Sequence, residues 1–211
     1  MFGPIFYDFV TLLAIINPVE AAAAFATLTG SFGPKQKATI ALRSSIVATL
    51  ILLGFGFVGE ALLNAIGVGF PAFRIAGGLL LLRVGFNMVF AKETGTQRLD
   101  EDEQEAAAQS DDPSVFPLAI PIITGPGALT TIVAILSKKD QTPFEIGAVV
   151  VVVLVVMAIT FVSMRASSAV TRVLGPTGVN AVGRIMGVLV SAIAIQLVLD
   201  GVEEFFPAFT K

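Results

Sequence analysis

The hydrophobic residues of this 211-residue chain fall into six long apolar stretches separated by polar connectors. The longest run without a charged residue, Pro113 to Ser137, has 25 residues, and Ile146 to Met164 gives another run of 19. About 20 apolar residues in a helix cross the hydrocarbon core of a bilayer. We therefore predict an all-α membrane protein with six transmembrane helices, at about residues 5–28, 40–62, 71–91, 114–137, 144–164 and 180–200.

Two of these stretches contain helix-breaking residues near their middles. Ile16-Asn17-Pro18-Val19-Glu20 interrupts the first, and Ile123-Thr124-Gly125-Pro126-Gly127 interrupts the fourth. Their central prolines lie 108 residues apart in a chain of 211. An irregular backbone at this depth must be buried or line a water-filled cavity. Paired interruptions in the two halves of a membrane protein therefore indicate a transport site.

The two halves also share a motif in their last spans. Arg74-Ile75-Ala76-Gly77-Gly78-Leu79 is followed, 110 residues later, by Arg184-Ile185-Met186-Gly187-Val188-Leu189. Because each half has three spans, the second half must start from the opposite side of the membrane. We predict two inverted three-helix repeats with interrupted first and fourth helices, divided into a first repeat at 1–91, an acidic linker at 92–113, and a second repeat with a short tail at 114–211.

The connectors predict the orientation of the chain. Seven lysines and arginines lie in or beside the connectors after the first, third and fifth spans, against three lysines on the other side. Lysine and arginine collect in cytoplasmic loops. The linker, which holds eight of the 16 acidic residues, is thus predicted to be cytoplasmic, with both termini outside.

Composition excludes several classes of function. The chain is 55% hydrophobic and 14% charged, and it has no Cys, His or Trp. Thiol nucleophiles, disulfides, histidine zinc sites and histidine proton relays are therefore excluded. No clustered pair of carboxylates ends a span, so that a nucleophile and base are hard to assemble. We expect neither an enzyme nor a cofactor or metal site.

The interruptions place hydrogen-bonding groups near the middle of the bilayer. A helix that restarts at Pro18 with Asn17 as its N-cap, or at Pro126 after Thr124 or Gly125, directs free N–H groups and a positive dipole end to this level. Two such ends suit an anion such as a carboxylate. For Asn17-Pro18 the alternative is a proline kink stabilised by neighbouring helices. The predicted substrate-binding residues are Asn17, Pro18, Thr124, Gly125, Pro126, Gly127 and Thr130.

Charged residues within the spans have two interpretations each. Glu20, two residues after Pro18, either couples transport to a proton or sodium ion or is a structural acid paired with an arginine. Arg74 and Arg184 occupy matching positions in the third and sixth spans. They are either interface anchors that reach the membrane surface or inward charges for Glu20 or for a substrate carboxylate. Asp8 and Asp200, near outer span ends, are expected to be solvated.

Small residues at helical spacing predict close packing between spans. Gly77-Gly78 in the third span, and Gly183 with Gly187 in the sixth, form the small-xxx-small pattern that lets membrane helices approach each other. We therefore expect a structural role for these glycines. Arg83, deeper in the third span, needs a partner or a water path.

At these motifs the chain resembles the MarC family of bacterial and archaeal inner-membrane proteins. The resemblance covers essentially the whole chain. It implies a six-helix, inverted-repeat, transporter-like fold in the inner membrane, with small neutral amino acids such as glycine or alanine as substrates, in symport with protons or sodium. It is carried by Asn17-Pro18, Arg74-Ile75-Ala76-Gly77-Gly78-Leu79-Leu80 and Ile120-Pro121-Ile122-Ile123-Thr124-Gly125-Pro126-Gly127-Ala128.

We expect a secondary transporter in which helix N-termini hold the carboxylate of a small zwitterion. Rocking of one repeat against the other would then give alternating access. The alternative is a non-transporting scaffold or regulatory membrane protein, whose interruptions would be dry and well packed. The expected partners are a small-molecule solute, H+ or Na+, and the lipid bilayer, without nucleic acid, and a homo-oligomer stays open.

Overall fold

The computed structural model describes residues 2–90, 112–138 and 141–206. All regular structure in these ranges is helical, but α5 is irregular, because Phe116 and Ile120 within it have extended backbone. Of the predicted linker, only Asp112 and Pro113 belong to the described residues. The helices are α1 Phe2–Ile16, α2 Pro18–Leu28, α3 Pro34–Ala65, α4 Phe70–Phe90, α5 Ser114–Ile123, α6 Pro126–Leu136, α7 Pro143–Arg165 and α8 Ser167–Phe205.

The six predicted membrane spans are confirmed. Helices α3, α4, α7 and α8 are each long and apolar enough to cross a membrane. Helices α1 and α2 together form a fifth span, Gly3–Leu28, of 26 residues. Helices α5 and α6 form the sixth span as a pair bent by 63°. The chain is therefore an all-α, multi-pass membrane protein.

Two spans are longer than predicted. α3 begins at Pro34 instead of about residue 40, because proline is pre-set for the first helical position and Gln36 Oε1 accepts a hydrogen bond from Gly33 N at 3.1 Å. α8 begins at Ser167 instead of about residue 180, directly after α7. It kinks at Gly175, whose φ of 62° favours glycine, and the following proline. The connector predicted between the fifth and sixth spans is thus helical.

The two broken spans form the centre of the protein. Of the 18 most apolar consecutive residues in Gly3–Leu28, 72% are buried. The corresponding share in the four continuous helices is 22–33%. In α6, eight of 11 residues are buried. The four alanines Ala21–Ala24 are also buried, and small side chains of this kind let neighbouring helices approach closely. The continuous helices therefore shield the broken ones from lipid.

Most contacts between helices come in related pairs. α1 and α2 pack against α7, as α5 and α6 pack against α3. α2 packs against α8, as α6 packs against α4, and α3 and α4 pack against α7 and α8 respectively. If α1, α2, α3 and α4 are exchanged with α5, α6, α7 and α8 respectively, this same set of helix contacts results. Two structurally related halves would have this arrangement.

The two broken spans run in opposite directions. Lys138 Nζ, after the end of α6, lies 3.0 Å from Asp8 Oδ1 in α1. Arg43 in the early part of α3 pairs with Asp112, just before α5, at the opposite face. Hydrogen bonds from Ser114 lower the pKa of Asp112, and the positive charge of Arg43 lowers it further. Partial burial raises the pKa but does not outweigh them. We name these the outer face, with Asp8 and Lys138, and the inner face, with Arg43 and Asp112, after the predicted orientation.

Glycines bring α4 close to α6 and α8. A Cβ added to Gly77 would overlap the Thr130 side chain of α6. A Cβ on Gly78 would lie 2.8 Å from the backbone of α8, and one on Gly187 would lie 2.9 Å from the backbone of α4. The structural role predicted for these three glycines is confirmed. It is wrong for Gly183, where an added Cβ meets no atom within 4 Å.

Candidate functional site

The first break is centred on Asn17. Its backbone is left-handed, with φ 50° and ψ 78°, a conformation that asparagine adopts more readily than most residues. Its Oδ1 accepts a hydrogen bond from Glu20 N at 3.4 Å, and its Nδ2 donates to Glu20 Oε2 at 3.1 Å. Pro18 then starts α2. The predicted capped restart is confirmed, because α1 ends at Ile16 and α2 has its own cap. As in a kinked helix, the two parts still form one span, and Asn17 N donates to the Leu13 carbonyl at 3.0 Å.

The second break separates α5 from α6. Thr124 ends α5, since its N and Oγ1 both donate to the Ala119 carbonyl, at 2.9 and 2.8 Å. Two residues of α5 that precede prolines have extended backbone, as proline requires of its neighbour. α6 begins at Pro126 with Gly125 as its N-cap, and no side chain caps it. Of the two predicted caps, Gly125 is therefore the observed one.

The broken spans adjoin each other in the interior. α1 contacts α6 and α2 contacts α5, and Asn17 and Thr124 are each 2% exposed. α2 runs from its break toward the inner face and α6 toward the outer face, so both positive helix ends lie in the interior. An anionic group at this level is favoured by both dipoles. The α6 end lacks a side-chain cap, and its Ala128 N–H donates instead to the Gly125 carbonyl at 2.9 Å.

Gly127 and Thr130 lie on the side of α6 that packs against α4. A Cβ on Gly127 would overlap Leu81, and Thr130 occupies the space beside Gly77. The Thr130 hydroxyl donates to its own helix, to the Pro126 carbonyl at 2.9 Å. The structure gives Gly127 and Thr130 a packing role, and their binding of substrate stays a prediction.

The charged candidates lie apart from one another. Glu20 is 7% exposed and accepts the hydrogen bond from Asn17 at the first break. Arg74 lies at the outer face, where its Nη1 is 3.1 Å from Glu204 Oε2. Arg184 is exposed on α8. The observed positions of both arginines agree with the interface-anchor interpretation, and the coupling role of Glu20 stays a prediction.

A cavity of about 70 Å³, lined by both polar and apolar side chains, opens at the outer face. Because a water molecule needs about 10–15 Å³ of such space, several waters fit. Asp8 is only 4% exposed there and is covered by Lys138, so the prediction that Asp8 is solvated is wrong. Residues of α1, α4 and α8, with residues in and just after α6, supply its polar lining, which includes Asp8, Arg74, Thr131, Lys138, Gln196 and Asp200.

Two buried polar atoms of residues that line this cavity have no hydrogen-bond partner within the described part of the chain. They are Thr131 Oγ1 and Arg74 Nε. A buried unsatisfied group costs about 1–3 kcal/mol, which a polar molecule in the cavity would remove. Sequence reasoning missed this cavity, since Asp8 and Lys138 lie 130 residues apart. The available signal was one acidic residue within an apolar stretch.

Comparison with known proteins establishes the family. The family model described as MarC family integral membrane protein matches residues 2–206. The chain belongs to the MarC family. Two of its MarC relatives are UPF0056 membrane proteins. YvbG of Bacillus subtilis is 31% identical over 211 residues, covering 100% of both chains. The Aquifex aeolicus protein is 33% identical over 203 residues, covering 96% of this chain and 94% of the relative.

The MarC assignment confirms the resemblance carried by Asn17-Pro18 and by the Thr124-Gly125-Pro126-Gly127 break. No solved structure matches this chain. The names of the two relatives describe membrane proteins and specify no solute. The activity of this MarC protein must therefore be inferred from its own geometry.

Proposed function

We propose that this MarC protein is a secondary transporter of a small solute and not an enzyme. The observation that supports transport is the pair of buried, broken spans that run in opposite directions. Their second parts, α2 and α6, start within the spans, at the buried Asn17-Pro18 and at Gly125-Pro126, where Gly125 is partly buried and Pro126 exposed. Secondary transporters use such discontinuous helices to bind substrates and coupling ions near the bilayer midplane.

The proposed substrate is a small neutral amino acid such as glycine or alanine, in symport with H+ or Na+. The uncapped start of α6 would receive the carboxylate, and the amide of Asn17 lies at the opposing helix start. Glu20 is the proposed coupling residue because it is a buried carboxylate beside this break. Small buried side chains around the breaks, such as Ala21–Ala24, favour a small solute.

Alternating access is proposed to occur between two inverted repeats, 1–91 and 114–211. Asp8–Lys138 and Arg74–Glu204 join these segments at the outer face, and Arg43 of the first pairs at the inner face with Asp112, two residues before the second. Opening toward one side would separate the ion pairs of that face. We propose an inner-membrane location from the MarC resemblance, and both termini outside from the distribution of lysine and arginine.

Uptake by the purified protein in proteoliposomes tests the proposal. We expect saturable uptake of radiolabelled glycine or alanine that depends on an imposed H+ or Na+ gradient. Gly125→Ala with Pro126→Ala should reduce that uptake at least about tenfold, because it extends α5 toward α6 and removes the exposed helix start. Failure of every small neutral amino acid to accumulate under either gradient would rule out the proposed substrates.

The matched control changes the same residue types at a membrane boundary. Pro143 is also the first residue of a helix, and a Cβ on Gly147 meets no atom within 4 Å. Pro143→Ala with Gly147→Ala should leave uptake within about twofold of the wild type. Equal uptake by this control and by the Gly125/Pro126 variant would contradict a binding site at the second break.

A non-transporting scaffold or regulatory protein is the second candidate. The burial of Asn17 and Thr124, with hydrogen bonds inside their own segments, favours it. Since the chain has no Cys, a single Thr124→Cys substitution can be labelled from either side of the membrane. A transporter should show labelling that changes with solute and gradient, whereas a scaffold should stay unlabelled under all conditions.

A further inference from the structure

A second cavity, of about 260 Å³, lies at the inner face, away from the breaks. It is formed where α2 ends and α3 begins, next to the junction of α7 and α8. Its polar lining consists of Lys37, Arg165, Ser167 and Ser168, and among the residues that the structure describes no acidic side chain lines it. The space is far larger than the 10–15 Å³ that one water requires. The inner-face cavity can therefore accept a chemical group and not only solvent.

Two cations from different helices converge on the inner-face cavity. Lys37 is in the second turn of α3, and Arg165 is the last residue of α7. Within the described ranges the ion pairs involve other cations, namely Arg43, Arg74 and Lys138. Ser167, 4% exposed, and Ser168 add hydroxyls from the first turn of α8, whose dipole also favours an anion. The chemistry is that of a phosphate-binding site.

The other wall of the inner-face cavity is apolar. Phe25 and Met164 are at most 1% exposed, and Phe32 and Pro34 complete this wall. The site also lies at span ends, where lipid headgroups are found, because α7 ends at Arg165 and α3 begins at Pro34. Basic pockets between transmembrane helices bind anionic lipid headgroups. A soluble anion would make no favourable contact with the apolar wall, whereas a phospholipid would pack its glycerol and first methylene groups against it.

We propose that the inner-face cavity binds the phosphate headgroup of an anionic phospholipid through Lys37 and Arg165. This inference is independent of transport, because none of the cavity's residues belongs to the breaks. A lipid at this position would hold α2, α3, α7 and α8 together at the membrane surface. The test is titration of the purified protein in detergent with short-chain phosphatidylglycerol, measured by native mass spectrometry.

Each cation near an anionic surface contributes about 1 kcal/mol, so Lys37→Gln or Arg165→Gln should weaken phosphatidylglycerol binding about fivefold, and the double variant about 25-fold. Lys35→Gln removes a neighbouring cation that does not line the cavity and should change binding less than about twofold. The exchange Lys37→Arg with Arg165→Lys keeps both charges and should retain most of the affinity. Retained binding by this exchange would show that the site requires two positive charges and not a particular side chain at either position.

Three outcomes would overturn the proposal. The first is equal phosphatidylglycerol binding by the wild type and the Lys37→Gln/Arg165→Gln variant. The second is equal affinity for short-chain phosphatidylcholine, which carries no net charge. The third is inorganic phosphate binding at millimolar concentration without any lipid binding, which would make the site one for a soluble anion.

Discussion

The Asn17 side chain stabilises the backbone at the point where Pro18 interrupts the helical hydrogen bonding. Proline supplies no N–H, and each unsatisfied backbone group at lipid depth costs several kcal/mol. Asn17 adopts a left-handed backbone and uses its amide to contact both the N–H and the carboxylate of Glu20. Local hydrogen bonds therefore maintain a break that the surrounding lipid would otherwise penalise.

We predict that Asn17→Ala lowers the free energy of unfolding by about 2 kcal/mol. The substitution removes an N-cap, worth about 0.5–2 kcal/mol, and places alanine in a left-handed conformation that costs about 1–2 kcal/mol. Thermal unfolding of the detergent-solubilised protein measures the change. Asn17→Gly is the control, because it removes the cap without the conformational cost and should lose less stability. Equal losses in the two variants would show that the left-handed backbone carries no cost.

At the scale of the helices, the half-helices are positioned by packing against continuous ones. α6 lies against α4 because Gly77 leaves room for the Thr130 side chain, and Gly127 leaves room for Leu81. The Thr130 hydroxyl bonds within its own helix, so its methyl group is free to fill the contact. The position of the second break thus depends on two glycines on facing helices.

Gly77→Ala should lower the free energy of unfolding by about 1–3 kcal/mol, the usual cost of overpacking. The added Cβ overlaps Thr130, so α4 and α6 must separate. Thr130→Ala in the same chain should restore much of the loss by removing the overlapping atoms. Gly183→Ala, on an uncrowded part of α8, is the matched control and should be neutral or stabilising by up to about 1 kcal/mol. Thermal unfolding of these three variants provides the measurement, and a neutral Gly77→Ala would contradict the close contact.

At the scale of the whole molecule, ion pairs join the two predicted repeats at the outer face and the first repeat to the end of the linker at the inner face. These ion pairs differ in solvent exposure, and the exposure determines how much each pair contributes to stability. Asp8 is 4% exposed and pairs with the partly exposed Lys138. Arg43 and Asp112 have side chains that are 56% and 43% exposed, so water screens their attraction. The Asp8–Lys138 pair should therefore contribute more to the closed arrangement.

Lys138→Gln should cost about 1–3 kcal/mol of stability, because it leaves the buried Asp8 carboxylate without its cation. Asp8→Asn should cost less, since Lys138 is partly exposed and can turn toward water. The double variant should lose less than the sum of the single losses, as double-mutant cycles on thermal unfolding would show. The exposed Arg43–Asp112 pair, neutralised in the same way, should cost less than about 1 kcal/mol. Additive losses at Asp8 and Lys138 would contradict a direct interaction.

Local signals account for what could be predicted. An apolar run of about 20 residues identifies a span wherever it occurs, so all six spans were found. The same signal misplaced the starts of α3 and α8, because hydropathy marks the lipid-facing part of a helix and not its extension beyond the bilayer. Pro18 and Pro126 predicted both breaks because proline acts on the residues directly before it and on its own turn.

In the candidate site, too, the features set by neighbouring residues were predictable and those set by distant residues were not. Asn17 and Gly125 were predicted as caps from their immediate neighbours, and the structure confirms both. The packing of Thr130 against Gly77 and the burial of Asp8 by Lys138 were not predictable, because they join residues 53 and 130 positions apart. The hydrophobic periodicity of a single sequence does not show which distant residues are in contact.

The sequence by itself determined the class of protein, the six spans and the two breaks, since hydropathy, proline and capping act over one or two helical turns. Three spans in each half also predicted that the two broken spans run in opposite directions. Only the tertiary structure decided that the broken spans are central and which charges pair at each face. These features depend on which helices lie next to one another. That choice is made by side-chain packing and charge pairing across the whole chain, and no local pattern contains it.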